Sequence, residues 1–282
     1  MEIKSLAGIS FDKIFDTFSQ AFADYEMQLD KEELRAMTQR RGFDPNLSFA
    51  AFEGNKIVSF TCNGIGNYQG ELMAYDTGTG TLKDYRGQGL ATKIFEESLP
   101  YLREAGIGKY LLEVLQHNTG AVSVYRKIGF EVTREFYYFR TKVSEIKNEF
   151  KTKYAFTIKP IDIEKYASIP DFWDFNPSWQ NSFESILRSP EKFVTLGVFS
   201  DDTLVGYCVF EPTAGDVTQL GVNKEYRRKG VGSMLLKEML CIHKNEGIKF
   251  VNTDIRCTSI TEFLKSKNIV PTGKQFEMIK TI

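Results

Sequence analysis

The sequence predicts an α/β fold that is built twice. Three observations carry this prediction: an internal repeat, strand hairpins followed by strand–helix–strand units, and a composition able to fill two cores. The repeat is the most informative. Residues 83–91 read KDYRGQGLA and residues 224–232 read KEYRRKGVG. Each runs Lys, acid, Tyr, Arg, two residues, Gly, one residue, then Ala or Gly. The two arginines, Arg86 and Arg227, stand 141 positions apart, half the length of the chain. With 282 residues there is room for two ordinary domains. The 42% apolar content, with 23 Phe and 13 Tyr, supplies a core for each. We therefore expect tandem domains over 1–147 and 148–282, each a mixed, mostly antiparallel sheet flanked by helices. The expected junction is the polar stretch Lys142–Lys153.

The elements follow in order. Phe11, Ile14, Phe15 and Phe18 recur at helical spacing. A second helix is expected over Asp30–Arg41, because Asp30 resembles an N-cap followed by acids in the first turn. Asp44-Pro45-Asn46 breaks the chain. Strands are expected at Leu47–Phe52, Ile57–Asn63, Gly70–Tyr75 and Thr79–Leu82. A helix over Leu90–Ala105 ends at Gly106. A strand at Lys109–Leu115, a helix at Ala121–Lys127 and a strand at Glu131–Arg140 complete the half. The second half repeats the order. Strands are expected at Phe193–Phe199, Thr203–Phe210 and Val217–Val222, then a helix at Val231–Asn245. A strand at Lys249–Ile255, a helix at Ile260–Lys265 and a strand at Gln275–Ile282 follow. Hairpins joined to strand–helix–strand units give a mixed sheet.

Composition excludes several classes. Lys plus Arg is 36 against 37 Asp plus Glu, so the net charge is −1, and no basic excess marks a nucleic-acid binder. Cys62, Cys208, Cys241 and Cys257 lack CxxC spacing, and His117 and His243 form no HExxH, so no metal site is expected. The start of the chain lacks a basic segment leading into an apolar run, and no stretch of about 18 apolar residues exists. A cytoplasmic protein with reduced thiols and no membrane association is expected.

The chemistry lies in the repeated loop. Arg86-Gly87-Gln88-Gly89-Leu90-Ala91 links a strand to a helix. Glycine permits a tight turn and a close approach by a ligand. A helix N-terminus offers free N–H groups and a positive dipole end. Arg86 adds a charge, so a phosphate or pyrophosphate is the expected ligand. Arg227, Gly230 and Gly232 repeat the parts, behind a strand ending at Val222. The GxxxxGK[ST] loop is absent, and neither copy completes GxGxxG.

The pattern that does fit is Arg-x-x-Gly-x-Gly/Ala. At these residues the sequence resembles the GNAT superfamily of acetyl-CoA-dependent N-acetyltransferases, whose pyrophosphate-binding motif both copies match. Residues 111–130, LLEVLQHNTGAVSVYRKIGF, match a second family motif at Asn118, Ala121, Tyr125, Gly129 and Phe130. The run LEV, with Glu113 five residues before Asn118, looks especially like the branch that acetylates protein N-terminal amines. The second half departs: Cys257 stands at the place of Asn118, Leu264 at that of Tyr125 and Asn268 at that of Gly129.

The resemblance implies acetyl-CoA as cosubstrate, no metal and direct attack by a primary amine. It implies Tyr125 as proton donor to the leaving sulfur and Glu113 as base, directly or through water. Backbone N–H groups at Thr81 and Leu82 would polarise the thioester carbonyl. Asn118 would hold the pantetheine arm or the local strand. Asp76 and Glu71 are rival carboxylates. The aromatic run Phe172-Trp173-Asp174-Phe175 with Trp179 would be core or a pocket wall, and Arg40-Arg41 a solvated helix end. The first domain is expected to be catalytic. The alternatives are an acyl-CoA-binding module without turnover, or catalysis in the second domain. The acceptor is a small amine or a protein N-terminus, and two fused domains could act as a monomer.

Overall fold

The computed structural model describes residues 1–25 and 28–282. Its elements run β1 (Glu2–Ser5), α1 (Phe11–Ala21), α2 (Lys31–Arg40), β2 (Phe49–Glu53), β3 (Lys56–Tyr68), β4 (Glu71–Thr81), α3 (Leu90–Glu104), β5 (Lys109–Leu115), α4 (Thr119–Ile128) and β6 (Glu131–Lys142). They continue with β7 (Thr157–Pro160), α5 (Phe183–Leu187), β8 (Val194–Ser200), β9 (Thr203–Glu211), β10 (Asp216–Val222), α6 (Val231–Ile242), β11 (Gly247–Asp254), α7 (Thr258–Ser266) and β12 (Pro271–Thr281). The α/β, twice-built architecture of the sequence is present.

The chain forms two compact units, and neither is a contiguous half. Unit 1 comprises Met1–Thr133, Ser182–Ser189 and Phe276–Ile282; unit 2 comprises Arg134–Asn181 and Pro190–Gln275. The boundary expected at 147 is displaced because strands at each half's end are lent out. In unit 1 the order is β1-β2-β3-β4-β5, closed by the end of β12. The Ile282 amide donates to the Gly108 carbonyl at 2.9 Å. In unit 2 the order is β7-β8-β9-β10-β11, closed by β6. The stretch Lys142–Lys153 is not a free junction, since Thr152 packs inside unit 2 against Lys229 and Gly230.

Each unit buries apolar residues of its own, unit 1 in several clusters. In unit 1, Phe95, Leu102, Tyr110, Leu112 and Phe130 pack with Met278 from β12. In unit 2, Val205, Phe210, Leu235, Leu236, Phe250 and Leu264 pack together. Burying one large apolar side chain stabilises by about 1.5–3 kcal/mol, so the lent residue Met278, fully buried, matters to unit 1.

Strands β3 and β4 run further than their sequences suggest. Glycines read as interruptions are instead points of close approach inside strands. A Cβ on Gly64 would lie 2.0 Å from the Arg41 carbonyl oxygen, and one on Gly80 would lie 2.8 Å from the Phe60 ring. Strand β1, strand β7 and helix α5 carry too little apolar pattern to be foreseen. Helix α5 nonetheless belongs to unit 1: the Ser185 hydroxyl donates to the Arg40 carbonyl at 2.8 Å, and Arg188 donates to the Ile65 carbonyl.

Two features position the sites. The parallel pair β4–β5 is confined to Met73–Tyr75 against Lys109–Leu111, so the strands part from Asp76 onward. Strands β10 and β11 are parallel only at Asp216 against Lys249. In addition, β4 carries a bulge at Thr77 and β10 one at Thr218. These bulges are 141 residues apart, the same spacing as the repeated loops. A bulge kinks its strand and re-aims the residues beyond it.

Candidate active site

In unit 1 the loop after β4 has the expected geometry. Gly87 (φ 75°) and Gly89 (φ 71°) both adopt the left-handed region, and Gly89 caps α3. Only glycine enters that region without cost. A Cβ on either would meet nothing within 4 Å, so open space lies in front of the loop amides. Those amides, at the N-terminus of a 15-residue helix, fit an anionic pyrophosphate. Leu90 is buried and pins the helix start to the core, Ala91 follows on the first turn, and the Gln88 side chain bonds within the loop to Asp84.

Arg86 is turned the other way. Its Nε donates to the Thr81 carbonyl at 3.2 Å, its Nη2 to the Ala21 carbonyl at 2.9 Å, and Asp24 lies 3.5 Å from its Nη1. It fastens the loop to β4 and α1 while its charge is shared with a carboxylate. Leu82 also departs from expectation: its amide donates to the Val58 carbonyl at 2.9 Å and is spent in the sheet. Antiparallel ladders alternate in direction, so the Thr81 and Thr79 amides face the open edge toward β5. The carbonyl-polarising position fits Thr81 and Thr79.

The splay is lined by a half-buried polar cluster. The Tyr125 hydroxyl lies 3.1 Å from Asp76 Oδ2, and the Thr79 hydroxyl donates to the same oxygen at 2.8 Å. Asp76 Oδ1 is buried and has no hydrogen-bond partner among the described residues. Burial raises the Asp76 carboxyl above its ordinary value, against the opposing pull of Thr79, Tyr125, the Gly78 amide and Arg41. Burial and the adjacent Asp76 push the Tyr125 phenol well above its ordinary value. Tyr125 also packs edge-on against Phe130, with ring centroids 5.7 Å apart. The neighbouring Glu113 accepts from the Tyr75 hydroxyl at 3.1 Å. The structure therefore joins Tyr125 to Asp76, and Glu113 to Tyr75. Glu71 lies outside the cluster in an exposed pair with Lys109.

Asn118 caps α4: its Oδ1 accepts from the Ala121 amide at 3.2 Å, and its Nδ2 points to the Tyr25 hydroxyl at 3.5 Å. Arg41 is not a solvated helix end, because its Nη1 donates to the carbonyl of the bulged Thr77. Thr77, Thr79, Arg41 and Tyr25 were not foreseen as site residues. The spacing of Thr77 and Thr218 before the two arginines was the available signal.

Unit 2 repeats the scaffold with different chemistry. Arg228 (φ 62°) and Gly230 (φ 98°) reproduce the two left-handed positions. Arg227 Nε donates to the Val222 carbonyl at 3.2 Å, and its two terminal nitrogens each lie 3.0 Å from an oxygen of Asp174. A Cβ on Gly232 would touch Phe263 at 3.4 Å, so α6 and α7 meet closely there. A cleft of about 650 Å³ opens beside this loop, bounded by Trp173, Phe175, Tyr207, Gln219, Cys257 and Phe263. That size suits a small-molecule ligand. The run Phe172–Phe175 is thus a cleft wall, whereas Trp179 is core. Tyr207 accepts from Trp173 at 2.6 Å and donates to Gln219 at 2.7 Å. Leu264, at the place of Tyr125, is wholly buried in the core. Among the described residues, no cluster of three His, Cys, Asp or Glu could hold a metal, and no helix is long and apolar enough to cross a membrane.

The scaffold is a two-unit α/β fold with twinned strand bulges and matching left-handed loop positions before a helix in each unit. The acetyltransferase (GNAT) family pattern matches residues 11–130 and 160–258, and the chain belongs to that family. A mycothiol acetyltransferase of Thermobifida fusca is 31% identical over 142 residues, 47% of this chain and 44% of that protein. The N-alpha-acetyltransferase 30 of Schizosaccharomyces pombe is 31% identical over 87 residues, 30% of this chain and 58% of that protein. The chain spans about half the length of these curated relatives. A tandem GNAT protein from the clavulanic acid biosynthesis pathway shares the fold, with a TM-score of 0.74 at 13% identity, covering 99% of this chain and 98% of that one. A GCN5-related N-acetyltransferase from Sphaerobacter thermophilus does so with a TM-score of 0.71 at 12% identity, covering 99% and 95%.

Proposed function

We propose that the chain transfers an acetyl group from acetyl-CoA to a primary amine by direct attack, and that unit 1 is the catalytic one. One observation carries this reading: the Tyr125 phenol is held at Asp76, where β4 leaves β5, whereas unit 2 has a buried leucine at the matching place. The amides of Gly87–Leu90 cradle the pyrophosphate. The Thr79 and Thr81 amides stabilise the oxyanion formed as nitrogen attacks the thioester. Tyr125 protonates the leaving sulfur, and a carboxylate accepts the amine's proton, with Glu113 the candidate by family resemblance. No residue of the chain forms a covalent intermediate, because the thioester is already activated.

A small amine or a protein N-terminus is the acceptor. Relatives named for mycothiol and as N-alpha-acetyltransferases support an amine in either setting. A cytoplasmic, monomeric enzyme without nucleic-acid or membrane partners belongs to the same proposal. Tyr125→Phe should lower kcat by about 10²-fold or more, measured as CoA thiol release with an alanyl peptide and glucosamine as probe amines. Acetyl-CoA affinity should be unchanged. Full activity in that variant would reject unit 1. A second reading is favoured by the 650 Å³ cleft of unit 2: this unit binds acyl-CoA without turnover, or carries the catalysis.

A further inference from the structure

We propose that Asp76 and Tyr125 form a bifunctional proton relay, in which Asp76, not Glu113, takes the proton from the attacking amine. The proposal rests on the reading of unit 1 as an acetyltransferase and deepens it. Its basis is the shape of the cluster. One oxygen of Asp76 is engaged by Tyr125 at 3.1 Å and by Thr79 at 2.8 Å. The other oxygen is buried with no hydrogen-bond partner among the described residues. A buried polar atom left unmatched in this way is costly unless something is meant to reach it. Asp76 sits where β4 and β5 separate, on the strand whose Thr79 and Thr81 amides face the open edge.

An electrostatic argument then constrains the proton. If Tyr125 gives up its proton beside an ionised Asp76, two negative charges stand about 3 Å apart in a poorly solvated site. Like charges so placed cannot both be kept. Tyr125 can serve as donor only if Asp76 is neutral at that moment. Burial already favours the neutral acid. With Asp76 protonated on Oδ2, the 3.1 Å contact runs from Asp76 to the Tyr125 oxygen.

The step balances as follows. The neutral amine attacks, the N–C bond forms, and the carbonyl pair moves to oxygen. The nitrogen proton passes to Asp76 Oδ1, which is closed off from solvent and is reached as the bound amine displaces the side chains over it. The Oδ2 proton passes to the Tyr125 oxygen, and the Tyr125 proton passes to sulfur as the C–S bond breaks with its pair on sulfur. Asp76 ends protonated on its other oxygen and Tyr125 ends as a phenol. Neither changes charge, and the net result is one proton moved from nitrogen to sulfur. The charged and titratable groups facing Asp76 are Arg41 after α2, Cys62 on β3, Tyr75 on β4, Tyr110 on β5 and Tyr125 on α4. Arg41 is the cation among them, and its Nη1 is bonded to the Thr77 carbonyl. Glu113, bonded by Tyr75, is left to orient the neutral amine by accepting a hydrogen bond from it.

The test is Asp76→Asn in the full chain, which keeps side-chain size and a hydrogen bond to Tyr125 but cannot pass a proton. At neutral pH, infrared spectra of the wild type should show a protonated-carboxyl band that vanishes in Asp76→Asn and shifts in Tyr125→Phe. With acetyl-CoA and the two probe amines, kcat should fall about 100-fold or more in Asp76→Asn, with the acetyl-CoA KM within about threefold. Glu113→Gln should lose less than about tenfold. A wild type lacking the band, or Asp76→Asn within about threefold of wild type while Tyr125→Phe is impaired, overturns the relay and returns the base to Glu113. Failure of the functional reading looks different: wild type, Tyr125→Phe and Asp76→Asn would all release thiol at the uncatalysed rate, and both proposals would fall.

Discussion

Arg86 and Arg227 perform one structural task in two places. Each donates Nε to the last carbonyl of the preceding strand at 3.2 Å, and each reaches a carbonyl and a carboxylate upstream. Asp174 is the better enclosed partner, with 27% of its side chain exposed against 56% for Asp24. Arg227→Ala strands that carboxylate and should cost about 1–3 kcal/mol in denaturant unfolding, whereas Arg86→Ala should cost less. Burial tends to raise the Asp174 carboxyl, but hydrogen bonds from Ser259 and Arg227 outweigh it and hold the group below its ordinary value. Its contribution is therefore complete above its unfolded value of about 4 and is lost as pH falls through the lower folded value. The stability gap between wild type and Asp174→Asn should narrow as pH drops below about 4; a gap constant with pH would contradict this. At this scale the motif residues themselves were legible, because their types and spacing recur. Their orientations were not: nothing in RGQG states that the guanidinium faces the strand, or that Tyr125 meets Asp76, 49 residues away.

Among elements, the last strand is the one whose sequence position misleads. Met278 on β12 is fully buried with Phe95, Leu112, Val114 and Phe130 of unit 1. Met278→Ala should cost about 2–5 kcal/mol. The loss should appear as faster amide exchange in β5 and α4, with β8 and β9 unaffected. A fragment ending at residue 147 lacks this strand and should not fold cooperatively. Helices and strands with clean periodicity, such as α3 and β5, were legible from apolar spacing and a terminating glycine. The interiors of β3 and β4 were not, because glycines there accommodate Arg41, Phe18 and Phe60 from elsewhere in the unit, and local sequence does not report tertiary approach.

For the molecule as a whole, the repeat in the sequence is a repeat of scaffold and not of chemistry. The spacing of 141 residues recurs in the loops, the strand bulges and the left-handed positions. The phenol of Tyr125 has no counterpart at the matching place, where unit 2 has Leu264, and the two units border their loops differently. Two domains were legible from that spacing. Their actual limits were not, since exchange of terminal strands leaves no mark in composition. The central claim is that unit 1 holds the acetyl-CoA that is turned over. The most direct test is calorimetric titration of acetyl-CoA into wild type, Gly89→Glu and Gly230→Glu, counting sites, with folding checked by circular dichroism. A glutamate in the loop repels the pyrophosphate and strains a left-handed position. The account predicts that Gly89→Glu removes one site. An unchanged site count in Gly89→Glu, with all binding lost in Gly230→Glu, would contradict it and move the reaction to unit 2.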